Sequence, residues 1–231
     1  MTGARTAALA ALAMATVFGP SARADNTCTN DAMIVFDGSG SMAEMGFNLI
    51  DEPRIFEARR ALADVLPEIA VQRRLGLLIY GPGGADTCSG VDLRFAPVEN
   101  AAARITNAVE ALQPTGDTAL TVAVDTAAEL LLERQSGGTV LLVTDGKETC
   151  GGAPCALAAE LSGKDITVHV IGFKVRGEFF AWGEQAGEEY RNSETVARCL
   201  ADRTGGLYVG AETVQDLIAA FRKTLGCKVL F

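Results

Sequence analysis

Side chains that could bind a metal ion are concentrated just after the apolar run 32–36. Asp37, Ser39 and Ser41 alternate there with Gly38 and Gly40. Hard oxygens at positions i, i+2 and i+4, with only one formal charge among them, suit a divalent cation such as Mg²⁺, and the glycines let the backbone turn tightly around a small ion. The same composition is also typical of a simple turn and helix cap, so this segment alone supports both interpretations.

Two later segments carry the same kind of oxygen donor. Residues 114–118 contain two threonines and an aspartate, and Asp145 directly follows the apolar run 140–144. Because Asp37 and Asp145 each end an apolar run, both carboxylates would face one crevice if those runs are neighbouring strands where the strand order reverses. The candidate oxygen donors are Asp37, Ser39 and Ser41, the side chains of the second segment, and Asp145. Within the second segment, Thr115, Asp117 or Thr118 could serve.

Apolar runs and helical periodicity alternate along the chain, which predicts the elements that position these residues. Runs without polar alternation predict buried parallel strands at 32–36, 75–80, 140–144 and 166–173, with a short further candidate at 207–209. The more alternating run 91–98 predicts an edge strand beside 75–80. Apolar stripes at helical spacing predict helices within 58–69, 101–112, 122–132 and 214–225. We therefore expect an α/β fold with a doubly wound, mostly parallel central sheet, one antiparallel edge strand and flanking helices.

The first 24 residues have the pattern of a secretory signal peptide. Arg5 precedes an apolar stretch at 7–18, and residues 22–24 read Ala-Arg-Ala, a signal for cleavage after Ala24. The apolar stretch is too short for a membrane anchor, which needs about 20 residues, and no other stretch is long enough to cross a bilayer. We expect a single domain over 25–231, with a core of about 32–225, in the periplasm or secreted.

The charge balance excludes one large class of partner. The chain has 29 acidic and 20 basic residues and a formal net charge of −9. Such a surface does not attract nucleic acid, whereas it favours solubility and attracts cations.

Six cysteines, all after the predicted cleavage point, predict three disulfides in an exported chain. Cys28 and Cys227 bracket the domain, so we expect them to pair. The other four could pair as Cys150–Cys155 with Cys88–Cys199, or as Cys88–Cys150 with Cys155–Cys199. A zinc site fits poorly, because the Cys150/Cys155 spacing has no matching second pair and the chain has one histidine, His169.

With these residues in place, the sequence resembles a von Willebrand factor type A domain with a metal-ion-dependent adhesion site. That motif is Asp-x-Ser-x-Ser with a distant Thr and a distant Asp, and Asp37, Ser39, Ser41, Thr118 and Asp145 match it. The resemblance spans about 32–225 and is greatest to exported bacterial members with a cysteine-rich segment after the last motif Asp, here 145–155. It implies that Mg²⁺ (or Mn²⁺ or Ca²⁺) is held with one open position, which a partner's Asp or Glu carboxylate fills. The family pattern favours Thr118 over Thr115 and Asp117.

Three functions follow as expectations. The first is a non-enzymatic binding or adhesion module outside the cytoplasm, which recognises a protein or peptide through a cation-bridged carboxylate. The second is a Mg²⁺- or Mn²⁺-dependent hydrolase or phosphotransferase using Asp37 and Asp145, although no motif histidine or two-metal carboxylate cluster accompanies them. The third is a disulfide-braced interaction domain that ignores metal. Residues 176–191, rich in aromatic and acidic side chains, would lie at the same sheet edge and could add an interface or pack back on the domain.

Overall fold

The computed structural model describes residues 30–45, 52–134, 137–175 and 197–227. Six strands form one sheet: β1 (Ala32–Asp37), β2 (Leu75–Tyr80), β3 (Val91–Val98), β4 (Gly138–Thr144), β5 (Ile166–Phe173) and β6 (Tyr208–Ala211). The helices are α1 (Arg54–Ile69), α2 (Ala102–Glu110), α3 (Leu120–Glu133), α4 (Pro154–Leu161), α5, described over 197–204, and α6 (Val214–Leu225). A short 3-10 helix, Gly40–Ala43, follows β1.

The order of the strands creates a crevice beside β1. The sheet runs β3-β2-β1-β4-β5-β6, with β3 antiparallel to β2 and the other pairs parallel. From β1, the chain proceeds outward through β2 and β3 on one side and then through β4, β5 and β6 on the other. The order therefore reverses between β1 and β4, and the carboxyl ends of these two strands meet at the position where doubly wound sheets bind ligands.

Helices cover both faces of the sheet, which explains why the central strands are apolar throughout. Alternate residues of β1 point to opposite faces: Ala32, Ile34 and Phe36 pack in a core with α1, α2 and α6, while Met33 and Val35 pack in a core with α3, α4 and α5. All six residues of β1 are buried, as are those of β2 and β4. The predicted doubly wound fold, with one antiparallel edge strand, is confirmed.

Several element boundaries differ from the sequence prediction, and helices α4 and α5 were not predicted. Helix α1 begins at Arg54, one turn before the stripe that starts at Ala58, and β6 begins at Tyr208. A capping box begins α6, since Thr213 Oγ1 accepts the Asp216 amide (3.1 Å) and Asp216 Oδ2 accepts the Thr213 amide (3.1 Å).

The structure selects between the two cysteine pairings left open. Cys88 bonds to Cys150 and Cys155 bonds to Cys199, so the alternative with Cys150–Cys155 and Cys88–Cys199 is wrong. The reason is tertiary: the β2–β3 loop and the loop after β4 lie at the same end of the sheet, and α4 and α5 pack on the same face. The expected Cys28–Cys227 pair involves Cys28, which lies outside the described residues.

Other sequence predictions also fall outside this part of the chain. The expected signal peptide, 1–24, and the segment 176–191 are not among the described residues. Within the described ranges, no helix combines the length and apolar character needed to cross a membrane.

Candidate functional site

Backbone hydrogen bonds tie together the three loops that carry the candidate ligands. The Gly40 amide, in the loop after β1, donates to the Gly116 carbonyl in the α2–α3 loop (3.0 Å). The Thr149 amide, in the loop after β4, donates to the Thr118 carbonyl (3.1 Å). The three loops are therefore joined to one another at the carboxyl ends of β1 and β4.

Gly116 shows why this surface needs glycine. Its φ of +77° lies in the left-handed region, and a Cβ at this position would overlap the carbonyl oxygen of Gly81. A larger residue would therefore push the α2–α3 loop away from the β2–β3 loop.

Asp37 is fully buried, and both of its carboxylate oxygens are held by donors. Oδ1 accepts the amide (2.9 Å) and the hydroxyl (2.6 Å) of Ser39. Oδ2 accepts the hydroxyls of Tyr80 (2.6 Å) and Thr144 (2.9 Å). Burial, and then the adjacent Asp37 charge, raise the pKa of Tyr80 well above its usual value, so Tyr80 remains a hydrogen-bond donor. The Asp37 carboxylate thus has a fixed orientation.

A continuous chain of oxygens runs from Asp37 to Asp145. Ser39 Oγ, which donates to Asp37 Oδ1, lies 2.9 Å from Ser41 Oγ. Ser41 Oγ donates to Asp145 Oδ1 at 2.7 Å. The structure therefore brings four of the five candidate ligands into direct side-chain contact, although the two aspartates are 108 residues apart.

Thr118, the fifth candidate, is joined through its backbone to the loop that follows Asp145. Its side chain is buried, and its amide donates to Thr149 Oγ1 at 2.8 Å. The alternative Asp117 is exposed, and its Oδ2 accepts the hydroxyl of Thr87 at 2.6 Å. Thr115 is also exposed. Of these three residues only Thr118 is buried, and its role as a ligand stays a prediction.

The donor set fits a small, hard cation. The four hydrogen-bonded side chains all offer oxygen ligands, which suit Mg²⁺ and Mn²⁺. They are Asp37, Ser39, Ser41 and Asp145. Two neighbouring ligands of an octahedral Mg²⁺, each about 2.1 Å from the ion, lie about 3.0 Å apart, whereas around Ca²⁺ the spacing is about 3.4 Å. The Ser39–Ser41 and Ser41–Asp145 oxygen distances of 2.9 and 2.7 Å are ordinary hydrogen-bond distances, so they show that the oxygens lie together and do not choose between these ions.

Sequence reasoning missed Tyr80, Thr144 and one charged residue of the site, Arg54. Its Nη1 donates to Asp145 Oδ2 (3.1 Å) and to the Ser41 carbonyl (3.0 Å), and its side chain is 3% exposed. A signal was present: Arg54 lies one turn before Ala58 on the apolar stripe of α1, a position where a charged side chain must be buried and paired.

The environment of Asp145 leaves its charge sensitive to nearby cations. Burial first, and then the adjacent Asp37 charge, raise the pKa of Asp145 to about 7, while Arg54 and the Ser41 hydroxyl act in the opposite direction. Near neutral pH, a metal ion at this carboxylate would therefore compete with a proton.

The cysteine-rich segment borders the site without offering a thiolate. Cys88, Asp117 and Cys150 lie close enough to suggest a metal cluster, but the two sulfurs are joined in a disulfide. Glu148 has a structural role in this segment, since its Oε2 accepts the amide (2.8 Å) and the hydroxyl (2.6 Å) of Thr121 at the start of α3. The segment thus fixes the loop after β4 against α3, next to Thr118.

Comparison with known proteins identifies the family. Residues 31–193 match the model of the von Willebrand factor type A domain. The protein YwmD of Bacillus subtilis strain 168, described as uncharacterized, is 28% identical over 230 residues and 94% of both chains. A von Willebrand factor type A protein from Catenulispora acidiphila superposes with a TM-score of 0.60, at 18% identity over 86% of this chain and 42% of its own. The pilus adhesin SpaC of Lactobacillus rhamnosus GG superposes with a TM-score of 0.64, at 14% identity over 86% of this chain and 30% of the adhesin. The two superpositions show the fold, and the family model covers more than half of the sequence: the chain belongs to the von Willebrand factor type A domain family.

Proposed function

We propose that this protein is a non-enzymatic binding and adhesion module that works outside the cytoplasm. It captures a protein partner through an Asp or Glu carboxylate bridged by Mg²⁺, which Asp37, Ser39, Ser41, Thr118 and Asp145 hold. The observation that carries this proposal is the oxygen chain from Asp37 through Ser39 and Ser41 to Asp145, with its spacing of 2.6 to 2.9 Å.

The five proposed ligands contribute differently to binding the ion. Ser39 and Ser41 offer neutral hydroxyls, so their binding leaves the positive charge of the ion largely uncompensated. Asp37 and Asp145 supply the only two negative charges among the five ligands, and their other hydrogen bonds prevent them from turning away. When bound, Mg²⁺ supplies an electrophilic position that an incoming carboxylate can occupy.

Several observations support a role in adhesion outside the cell. The fold is shared with the pilus adhesin SpaC. Disulfides Cys88–Cys150 and Cys155–Cys199 suit an oxidising compartment. The sequence pattern of residues 1–24 is that of a cleaved signal peptide.

The side chains around the site favour binding over turnover. Both serine hydroxyls already donate to or contact the acidic groups of the site, and no histidine is near to activate them as nucleophiles. His169, the single histidine of the sequence, lies in β5, where its Nδ1 accepts the Leu207 amide at 2.9 Å. Burial lowers the pKa of His169 to about 4, which makes it a poor general base at neutral pH.

Ser41→Ala tests the proposal, because Ser41 is at the centre of the oxygen chain and only partly buried. We expect Ser41→Ala to lower the Mg²⁺ affinity at least tenfold in calorimetric titrations at pH 8.0. Ser162→Ala is a matched control, since Ser162 is an exposed residue at the end of α4. The Mg²⁺ affinity of this variant should equal that of the wild type. Failure of the wild-type protein to bind millimolar Mg²⁺ or Mn²⁺ would refute the metal mechanism.

Two further measurements separate the remaining alternatives. A pull-down from the native cell envelope should retain a partner with Mg²⁺ and release it with EDTA, and Ser41→Ala should retain none. Equal capture in EDTA would instead support the disulfide-braced, metal-independent domain. Assays on phosphoesters and peptides with Mg²⁺ or Mn²⁺ should show no turnover, and turnover lost in Ser41→Ala would establish an enzyme.

A further inference from the structure

We propose that Arg54 makes the cation-loaded site selective for anionic carboxylates over neutral ligands. Arg54 would do so as a buried positive charge that stays beside the metal ligands when the cation binds. The inference rests on the proposed function, and it assigns a specificity role to a residue outside the five-residue motif.

The contacts of Arg54 are all directed at the metal loops. Its Nη1 lies 3.1 Å from Asp145 Oδ2 and 3.0 Å from the Ser41 carbonyl. Its backbone amide donates to the Glu44 carbonyl (3.1 Å), which joins the start of α1 to the end of the 3-10 helix. The guanidinium is therefore hydrogen-bonded to the side chain of one proposed ligand, Asp145, and to the backbone of another, Ser41.

The guanidinium is not fully satisfied as a structural group. Arg54 Nε is buried and has no hydrogen-bond partner among the described residues. Leaving a buried N–H unpaired is unfavourable, and a structural clamp alone could be built from a smaller or neutral side chain at lower cost. What Arg54 provides, and a neutral side chain would not, is a positive charge next to Asp145.

The charges at the site explain the effect of Arg54 on selectivity. Asp37 and Asp145 together would neutralise a divalent cation, and a neutral ligand would then complete the site as well as an anion. Arg54 already compensates Asp145, with which it forms a buried ion pair. The loaded site therefore keeps an excess of one positive charge, and an incoming carboxylate removes that excess.

Neighbouring charges do not cancel this excess. Glu44 Oε2 is 3.6 Å from Arg54 Nη1, but its side chain is 68% exposed and therefore screened by solvent. Glu57, one turn along α1, is buried in its own ion pair with Lys174. Glu148 is directed to the start of α3, where Thr121 donates to it.

The test uses Mn²⁺-loaded protein at pH 8.0 and two small probes that differ by one charge. Acetate carries the negative charge of the expected ligand, and acetamide is its neutral analogue. Paramagnetic relaxation of the ¹³C-labelled carbonyl carbon measures the binding of each probe to the bound Mn²⁺, with the EDTA-treated sample as background. Calorimetry on the same samples measures Mn²⁺ affinity, so each variant yields two independent quantities.

We expect Arg54→Met to lower the acetate affinity about five- to tenfold, the effect of one unit charge acting over a few ångströms at an intermediate effective dielectric constant. Acetamide binding should change less than twofold. Mn²⁺ affinity should rise, because a competing positive charge is removed. Arg54→Lys, which keeps the charge, should restore the preference for acetate over acetamide. The matched control Arg60→Met removes an exposed charge from the same helix and should change neither affinity.

The outcomes separate this inference from the proposed function. If wild-type protein binds no Mn²⁺, the proposed function fails and the inference fails with it. If wild-type protein binds Mn²⁺ but Arg54→Met leaves the acetate preference intact, only the inference is overturned. If Arg54→Met lowers Mn²⁺ affinity together with acetate and acetamide binding, Arg54 positions Asp145 without selecting charge, which also overturns the inference.

Discussion

At the scale of single residues, the site places two carboxylates of different character around two hydroxyls. Asp37 is surrounded by donors from Ser39, Tyr80 and Thr144, whereas Asp145 has Ser41 on one oxygen and Arg54 on the other. The first arrangement fixes a carboxylate in the floor of the crevice. The second joins a carboxylate to a cation from a distant part of the chain, so its charge depends on several neighbours.

The raised pKa of Asp145 predicts how cation binding depends on pH. Because this pKa is about 7 in the folded protein, the proton on Asp145 competes with a metal ion below neutrality. We expect the Mg²⁺ affinity to fall about tenfold between pH 8 and pH 6, the effect of one proton with this pKa. Calorimetric titrations across this range, with Ser162→Ala as the control protein, measure the change. A constant affinity would show that Asp145 is ionised throughout and does not compete with protons.

When no cation is bound, the raised pKa of Asp145 makes the folded protein more stable at low pH than at high pH, whereas cation binding is favoured at high pH. A carboxyl with a pKa raised above its usual value near 4 stabilises the folded state at low pH. That contribution is lost as the pH rises through about 7. Added Mg²⁺ should therefore raise the melting temperature more at pH 8 than at pH 6, which thermal denaturation measures directly.

The limits of sequence reasoning at this scale are visible in Arg54. Asp37, Ser39, Ser41, Thr118 and Asp145 were selected from residue types, spacing and family resemblance. The structure joins all but Thr118 through side-chain hydrogen bonds, and Thr118 bonds to Thr149 in the loop after β4. Their role as metal ligands stays a prediction. Arg54 could not be assigned in this way, because its partner Asp145 is 91 residues away and the contact depends on how α1 packs against β4.

At the scale of elements, the site depends on loops joined across the ends of three strands. The Cys88–Cys150 disulfide links the β2–β3 loop to the loop after β4, and Cys150 follows Thr149, which hydrogen-bonds to Thr118. The Cys155–Cys199 disulfide instead links α4 to α5, away from these hydrogen bonds. Only the Cys88–Cys150 disulfide is therefore adjacent to the hydrogen bonds around Thr118.

Removing each disulfide separately should distinguish stability from metal binding. The closed segments span 62 and 44 residues, so chain entropy predicts a similar loss of about 4 kcal/mol in unfolding free energy for either pair. Only the Cys88→Ser/Cys150→Ser variant should also lose Mg²⁺ affinity, because Thr149 and Thr118 are then less restrained. Urea denaturation and calorimetry measure the two effects. Equal Mg²⁺ affinities in the two double variants would show that the disulfide near the site contributes only to stability.

Most strands and helices were predictable from the sequence, whereas the pairing of the cysteines was not. Continuous apolar runs predicted β1, β2, β4 and β5, because strands buried on both faces have no polar alternation. The start of α1 was missed, since Arg54 interrupts the apolar pattern and Pro53 precedes it. The cysteine pairing was open from sequence, because it depends on which loops meet at one end of the sheet.

At the scale of the whole molecule, the net charge of −9 has opposite effects on the two proposed ligands. The field of an acidic protein attracts a divalent cation and repels an acidic partner at long range. Local attraction at the loaded site must therefore exceed the long-range repulsion when a carboxylate binds. Arg54, buried next to Asp145, contributes to that local attraction in a region that salt screens little.

Ionic strength should therefore change Mg²⁺ binding through the whole surface. Raising the salt from about 20 to 300 mM shortens the screening length from about 20 Å to about 6 Å, which removes most of the attraction from distant acidic residues. We expect the Mg²⁺ affinity to fall roughly three- to tenfold over this range. Choline chloride is the appropriate salt, because choline is too large to compete for the oxygens around Ser39 and Ser41. An affinity independent of salt would show that only the buried groups, Asp37, Asp145 and Arg54, determine how strongly the cation is held.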